Sequence, residues 1–346
     1  MVTTTSTYQT VQPSTKEVST TVNPHTTVQL STSTTSSYPI DSCTPHNATT
    51  YLFAYSTDLD GSIIDHQLDY FKQLQIPPLY TTFAVVRLDM RSGLEFVFLN
   101  HFSSLISYVQ SHYPVKSSGF GDPNTGSNVL TMIDSFLDNH QVPVCGSKML
   151  LLIKRYPNEN DISQIVTKLR QYHSFPIIMI SNSPSGGNNR EILYDLASKT
   201  NGLCGYYDDS QFGPAVYAVP SCFHPYMVYA ANPLVSGKGT LHLKSLEPPV
   251  QDKFWFTFTD QDYGKISAME TILLKWVNDS MGLSLGIYNN KTQGNINGNE
   301  ISGLVPLRHA VYDVTLYFEY TDSRSRVLQI RVYGSDFVED WQPYDD

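Results

Sequence analysis

The sequence predicts an α/β protein with a doubly wound, mostly parallel sheet, followed by an antiparallel β-sandwich. Three observations carry this. "KMLLLIK" (148–154) and "FPIIMIS" (175–181) are unbroken apolar runs of strand length, the pattern of strands covered on both faces. Between residues 50 and 220 such runs alternate with stretches of helical periodicity, as in β–α crossovers. After about Pro225 the pattern changes to short, often alternating runs separated by Gly, Asn, Asp and Ser, as in two-sheet all-β units.

"TTYLFAYS" (49–56) reads as a strand and the stretch from Asp60 to Leu74 as a helix, with Asp60 as its cap. "TTFAVVRLD" (81–89) and "LEFVFL" (94–99) are strands joined by a hairpin turn at "MRSG", which supplies one antiparallel edge strand. Residues 101–111 are helical. "NTGSNVLTMIDSFLDNH" (124–140) puts Val129, Ile133, Phe136 and Leu137 on one face, with Thr125 or Asn124 as the cap. After the strand at 148–154, "ENDISQIVTKLRQYH" (159–173) forms a helix with Ile162, Ile165, Val166 and Leu169 inward. After the strand at 175–181, "NREILYDLASKTNG" (189–202) forms a helix ending at Gly202. "LCGYYDD" (203–209) closes the series. The sandwich strands are expected in "GTLHLKSL", "KFWFTFTD", "KISAMETILLKWVND", "LSLGIYNN", "AVYDVTLYFEYTD" and "RVLQIRVYGSDF".

Composition sets the boundaries and the compartment. Half of the first forty residues are Ser or Thr and only Lys16 and Glu17 are charged, too little apolar surface for a core. The expected division is a disordered stalk over 1–42, an α/β domain over 43–224, a β-sandwich over 225–338 and a loose acidic tail over 339–346. The net charge is −10 with no basic run, which argues against nucleic acid and anionic membranes as partners. No apolar stretch approaches membrane-spanning length. Sequons at Asn47, Asn278 and Asn290 and four cysteines point to an extracellular glycoprotein, whose signal peptide is not part of this chain. A cytosolic protein with chance sequons and free thiols is the alternative.

Three stretches carry a family resemblance. "TYLFAYSTDLDG", "GDPNTGSNVLTMI" and "ILYDLASKTNGLCGYYDD" resemble the first strand and loop, the Gly-rich loop, and the late helix and final strand of a von Willebrand factor type A domain. The resemblance covers residues 48–222. It implies a Rossmann-like doubly wound fold with ligands held at the C-terminal ends of the parallel strands. It extends to secreted nematode proteins with degenerate domains of this type, linked to defence and stress responses. The family's cation site uses Asp-x-Ser-x-Ser, a Thr in the Gly-rich loop and an Asp after the fourth strand, an oxygen set suited to Mg²⁺. Here Ala54, Ser56 and Asp58 stand at the first motif, Pro123 at the Thr and Lys154 at the last Asp. An ammonium at that place repels a divalent ion by several kcal/mol. The resemblance therefore implies a non-enzymatic binding protein with a degenerate, metal-free adhesion site and no cofactor. Its partner would be a protein or glycan, met by loops carrying Ser56, Asp58, Asp122, Thr125, Lys154 and Arg155. In this reading Lys154 pairs with Asp58 or Asp122, or points to solvent, and Lys154 and Arg155 face an acidic group of the partner. The alternative is a metal-dependent adhesion module with a rearranged Mg²⁺ or Ca²⁺ site around Ser56, Asp58 and Asp122. The implied strand order also pairs Cys43 with Cys145 and Cys204 with Cys222, against Cys43–Cys222 with Cys145–Cys204.

Other chemistry is thinly supported. "STDLDGSIID" holds Asp58, Asp60 and Asp65 but has Asp69 where a calcium loop needs a Glu, so it reads as a helix cap. "SNSPSGGNNR" (181–190) lacks a Walker Lys and reads as a connecting loop. The ten histidines form no zinc spacing, and no G-x-S-x-G elbow occurs.

Overall fold

Two strands in which every residue is buried, β1 (Thr49–Ser56) and β4 (Lys148–Ile153), lie side by side at the centre of a six-stranded sheet. In this computed structural model residues 42–217, 219, 224–261, 268–290 and 300–345 are described, and all of them belong to one compact unit. Residues 1–41 of the proposed stalk lie outside them. The first half continues with α1 (Gly61–Phe71), β2 (Tyr80–Leu88), β3 (Phe96–Leu99), α2 (Phe102–Ser111) and α3 (Val129–Leu137). After β4 come α4 (Ser163–Gln171), β5 (Phe175–Ser181), α5 (Glu191–Lys199), β6 (Leu203–Tyr207) and α6 (Asp209–Ala215). The strand order is β3-β2-β1-β4-β5-β6, parallel throughout except for the β2–β3 hairpin. Helices cover both faces. Leu52, Leu151 and Ile178 pack against α3 to α5, and Phe53, Leu150 and Ile177 pack against α1, α2 and α6. Strand order reverses between β1 and β4, so their C-terminal ends open a crevice there.

The second half has β7 (Tyr226–Ala231), β8 (Leu234–Val235), β9 (Lys238–Leu246), β10 (Asp252–Asp260) and β11 (Met269–Asn278). It ends with β12 (Leu283–Asn290), β13 (Glu300–Leu307), β14 (Tyr312–Tyr320) and β15 (Arg326–Gly334). These make two antiparallel sheets, β13-β10-β15-β7 with β8 beside β15, and β12-β11-β14-β9. Alternate residues meet between the sheets: Phe254, Phe256 and Phe258 of one share a core with Ile272, Leu274 and Trp276 of the other. The Phe256 and Trp276 rings stack at 4.2 Å.

The outer face of β10 and β15 is polar and covers β6, which would otherwise be an open sheet edge. Gln329 Oε1 accepts from Cys204 N at 2.7 Å, while its Nε2 donates to Tyr194 O and Ser198 Oγ. Arg331, fully buried, donates to the carbonyls of Asn201, Gly202 and Ala231. Tyr194 Oη donates to Val327 O at 2.9 Å and Tyr207 Oη to Glu300 at 2.6 Å. Each of these groups has partners, and together they fix how the halves meet.

Several expectations are corrected. The helix after the Gly-rich loop starts at Val129, not near Thr125 or Asn124, because Ser127 Oγ accepts from Val129 N. α5 ends at Lys199, and the left-handed residue behind it is Asn201 (φ 53°), not Gly202. Gly202 is needed for another reason: a Cβ there would strike the Pro176 carbonyl. A disulfide joins Cys43 to Cys145. The Cys204–Cys222 bridge is not made. Cys204 is a free thiol, 0% exposed under Gln329, and Cys222 lies outside the described residues. The end of the chain is docked rather than loose. Trp341 donates from its indole to Cys43 O and stacks on His173, and Tyr344 stacks on the same ring. Its aromatics outweigh its charge, because the imidazole offers a flat face to both rings.

Candidate functional site

At the crevice the chain leaves β4 through Lys154 and Arg155, and the two side chains go opposite ways. Arg155 turns inward and is 1% exposed. Its Nε and Nη2 meet Asp58 Oδ2 at 3.0 and 2.9 Å, and its Nη1 donates to the carbonyls of Asp122 and Thr125 at 2.7 Å each. The Phe120 ring lies 5.8 Å from the guanidinium carbon. One planar fork thus ties the loop after β1, the Gly-rich loop before α3 and the end of β4. The "SPSGG" loop after β5 closes over it. Ser185 Oγ donates to Asp58 Oδ2 at 2.5 Å, and a Cβ on Gly186 would land on Arg155 Nη1 and Pro123 O. That loop's glycines serve close approach to Arg155 and Tyr156.

Lys154 extends to the rim. Its Nζ sits 2.6 and 2.8 Å from the two Asp209 oxygens and 3.0 Å from Ser181 Oγ. The expected pairing of Lys154 with Asp58 or Asp122 is therefore corrected: Asp58 belongs to Arg155 and Lys154 to Asp209, brought in at the start of α6. Arg155, being buried and saturated, cannot face a partner.

Ser56 is also interior. Its hydroxyl donates to Asp89 Oδ2 at 2.7 Å and accepts from Lys154 N at 3.0 Å. Asp89, at the end of β2 with φ 65°, is fully buried and accepts from Ser127 Oγ at 2.6 Å as well. Burial pushes its carboxyl above the usual range, against the hydrogen bonds from Ser127, Ser56 and Asn128. Asp122 is exposed. Asn124 N and Thr125 Oγ1 donate to its carboxylate, and these bonds, the Asn124 amide first, hold its pKa low. Asp60 caps α1 by accepting from Ser62 N at 3.1 Å.

Beside these pairs lies an open pocket of about 330 Å³ with Leu59 and Ile63 in its lining and Asp60, Lys116, Lys154, Asp209 and Ser210 around them. Among the described residues no group of three or more His, Cys, Asp or Glu is placed to hold a metal ion. Asp89, Ser127, Ser181 and Asp209 are the site residues that sequence reasoning missed. A lone Asp closing a strand was the signal for Asp89. Asp209 gave none.

Of the sequons, Asn47 accepts from Thr44 N and Oγ1, and Asn278 donates to Val311 O at 2.8 Å. The sequon at Asn290 runs into residues outside those described. No helix among the described residues is long and apolar enough to cross a membrane.

A domain of unknown function (DUF7154) matches residues 231–335, less than half of the chain. No curated protein matches it. Among solved structures the chain is similar to proximal thread matrix protein 1 from the mussel byssus, at 13% identity and a TM-score of 0.36. That match covers 56% of this chain and 51% of that one. Human COPII-coat protein Sec24c aligns over 82% of this chain and 43% of its own, at 6% identity and a TM-score of 0.33. A carbohydrate-binding module of Cellvibrio mixtus lichenase 5A aligns over 33% and 93%, at 9% identity and a TM-score of 0.20. Likeness at these scores carries no functional argument.

Proposed function

We propose that the protein is a secreted, non-enzymatic binding protein. It pairs a von Willebrand factor A-like α/β domain with a β-sandwich, and an arginine takes the place of the adhesion cation. The observation that carries this is Arg155. Its guanidinium sits at the sheet's switch point and bonds the Asp58 carboxylate and two loop carbonyls, the oxygen partners a bound cation would organise. The loops are then preformed without a divalent ion, and a cation added there would meet a fixed positive charge. This weighs against the metal-dependent alternative. A protein or glycan partner would meet the exposed parts of those loops, Gly121 to Asn124 and Ser183 to Pro184, together with the Lys154–Asp209 rim. The disulfide accords with secretion, and a role in defence or stress response is part of the same proposal.

Calorimetry and thermal shift with Mg²⁺, Ca²⁺ and Mn²⁺ test it. We expect no saturable heat and no change in melting temperature. Saturable binding that raises the melting temperature and disappears in Asp58→Asn would replace this reading with the metal-dependent one.

A further inference from the structure

The pocket beside Lys154 has walls whose chemistry narrows what can fill it. Its volume of about 330 Å³ is at the small end of ligand sites. Leu59 and Ile63 close the floor but are only 1% and 5% exposed, so an apolar anchor would gain little surface there. Hydrogen bonds therefore decide what binds.

The charges around the pocket cancel. Asp58, Asp60 and Asp209 stand against Lys116, Lys154 and, behind Asp58, Arg155. An entering anion meets the carboxylates and an entering cation meets the ammonium groups, so an ion of either sign is opposed at close range. The acceptors are not used up. Arg155 and Ser185 donate to Asp58 Oδ2, and among the described residues nothing donates to its Oδ1. A Cβ on Gly119 would come within 2.5 Å of that oxygen, so the glycine keeps its place clear. Asp60 binds Ser62 through Oδ1 alone, which leaves Oδ2 open. Asp209 Oδ2 accepts only from Lys154 and keeps a lone pair. Lys116 and Ser210, both exposed, bring donors to the same rim.

We propose that this pocket binds one uncharged sugar residue of a glycan partner. A pyranose ring carries hydroxyls pointing in several directions, each able to donate and to accept. It can give hydrogens to Asp58 Oδ1, Asp60 Oδ2 and Asp209 Oδ2 together and accept from Lys116, with charge-assisted bonds to gain and no net charge to be opposed. A side-chain amide of a protein partner has both donors on one nitrogen and reaches fewer of these oxygens. The assignment rests on the metal-free reading of the neighbouring loops and selects the glycan over the protein partner.

Calorimetry on the full chain in EDTA, stripped of its own N-glycans, tests this with the methyl glycosides of glucose, mannose, galactose, fucose and N-acetylglucosamine. Acetate, putrescine and acetyl-glutamine amide serve as the anionic, cationic and amide probes. At least one glycoside should bind saturably, with an affinity that changes less than about twofold between low and high salt. Asp60→Asn keeps the α1 cap, because Asn caps as well as Asp, and should weaken binding about fivefold. Ser210→Trp, at an exposed position, fills the pocket and should abolish binding with the melting temperature unchanged. The proposal is overturned, and the metal-free reading left standing, by no glycoside binding with or without Ca²⁺, by saturation with an ion or the amide alone, or by binding that Ser210→Trp leaves intact. Glycoside binding that appears only with Ca²⁺ overturns that reading and the proposal with it.

Discussion

Replacing Glu300 by Gln should stabilise the protein at pH 8 and leave it nearly unchanged at pH 5. Glu300 is 1% exposed between the two halves, where Tyr207 Oη and Thr257 Oγ1 donate to its two oxygens at 2.6 and 3.0 Å. Burial outweighs those two bonds and pushes its carboxyl up to about 7 from an ordinary 4.5. The folded state therefore holds this proton more tightly than the unfolded chain does. The stability it contributes is fully present below pH 4.5 and is lost as pH rises through 7. At about 1.4 kcal/mol per pH unit, that window amounts to about 3 kcal/mol. Gln keeps the shape, and its carbonyl can still accept from Tyr207 without a charge to bury. Urea unfolding of both proteins at pH 5, 6, 7 and 8 gives the difference directly, and other titrating groups cancel in the comparison. A stability difference that is the same at every pH would refute the reasoning.

Arg155→Met should cost about 3–5 kcal/mol, because it strands the buried Asp58 carboxylate. Arg155→Met/Asp58→Asn should recover part of that, and additive losses in urea unfolding would mean the two side chains do not act together. Removing the Cys43–Cys145 bridge as Cys43→Ala/Cys145→Ala opens a loop with a sequence separation of 102. This should lower stability by about 4–5 kcal/mol, and an unchanged urea midpoint would contradict it.

Hydrophobic pattern made much of the α/β half legible. Strands as apolar as "KMLLLI" and "FPIIMIS" have few alternatives, and the helices between them show their inward residues. The elements missed lack that contrast. α6, "DSQFGPA", is seven residues with an internal Gly and Pro214, and β13, "EISGLVPL", carries Gly303 and Pro306. β7, "YMVYAA", was hidden at the expected domain boundary. At the site, sequence picked out the pair Lys154 and Arg155 but left Lys154 between an inward pairing and solvent, and gave Arg155 no inward role. Which of two adjacent cations turns in depends on Asp209 and on Gly186, both distant along the chain. Spacing does not report such contacts. The same holds for Asp89, whose two serine partners come from β1 and from the start of α3.

Trp341 touches both sides of the covalent bridge: its indole donates to Cys43 O, and its ring lies where a Cβ on Gly146 would be. Cys43 and Trp341, near the two ends of the described residues, therefore meet at one spot. Tension applied at Cys43 would be taken up by the sulfur bond and the stacked rings before any strand was unzipped. A peptidase trimming the carboxyl terminus would loosen that anchorage first, while leaving the loops around Arg155 intact.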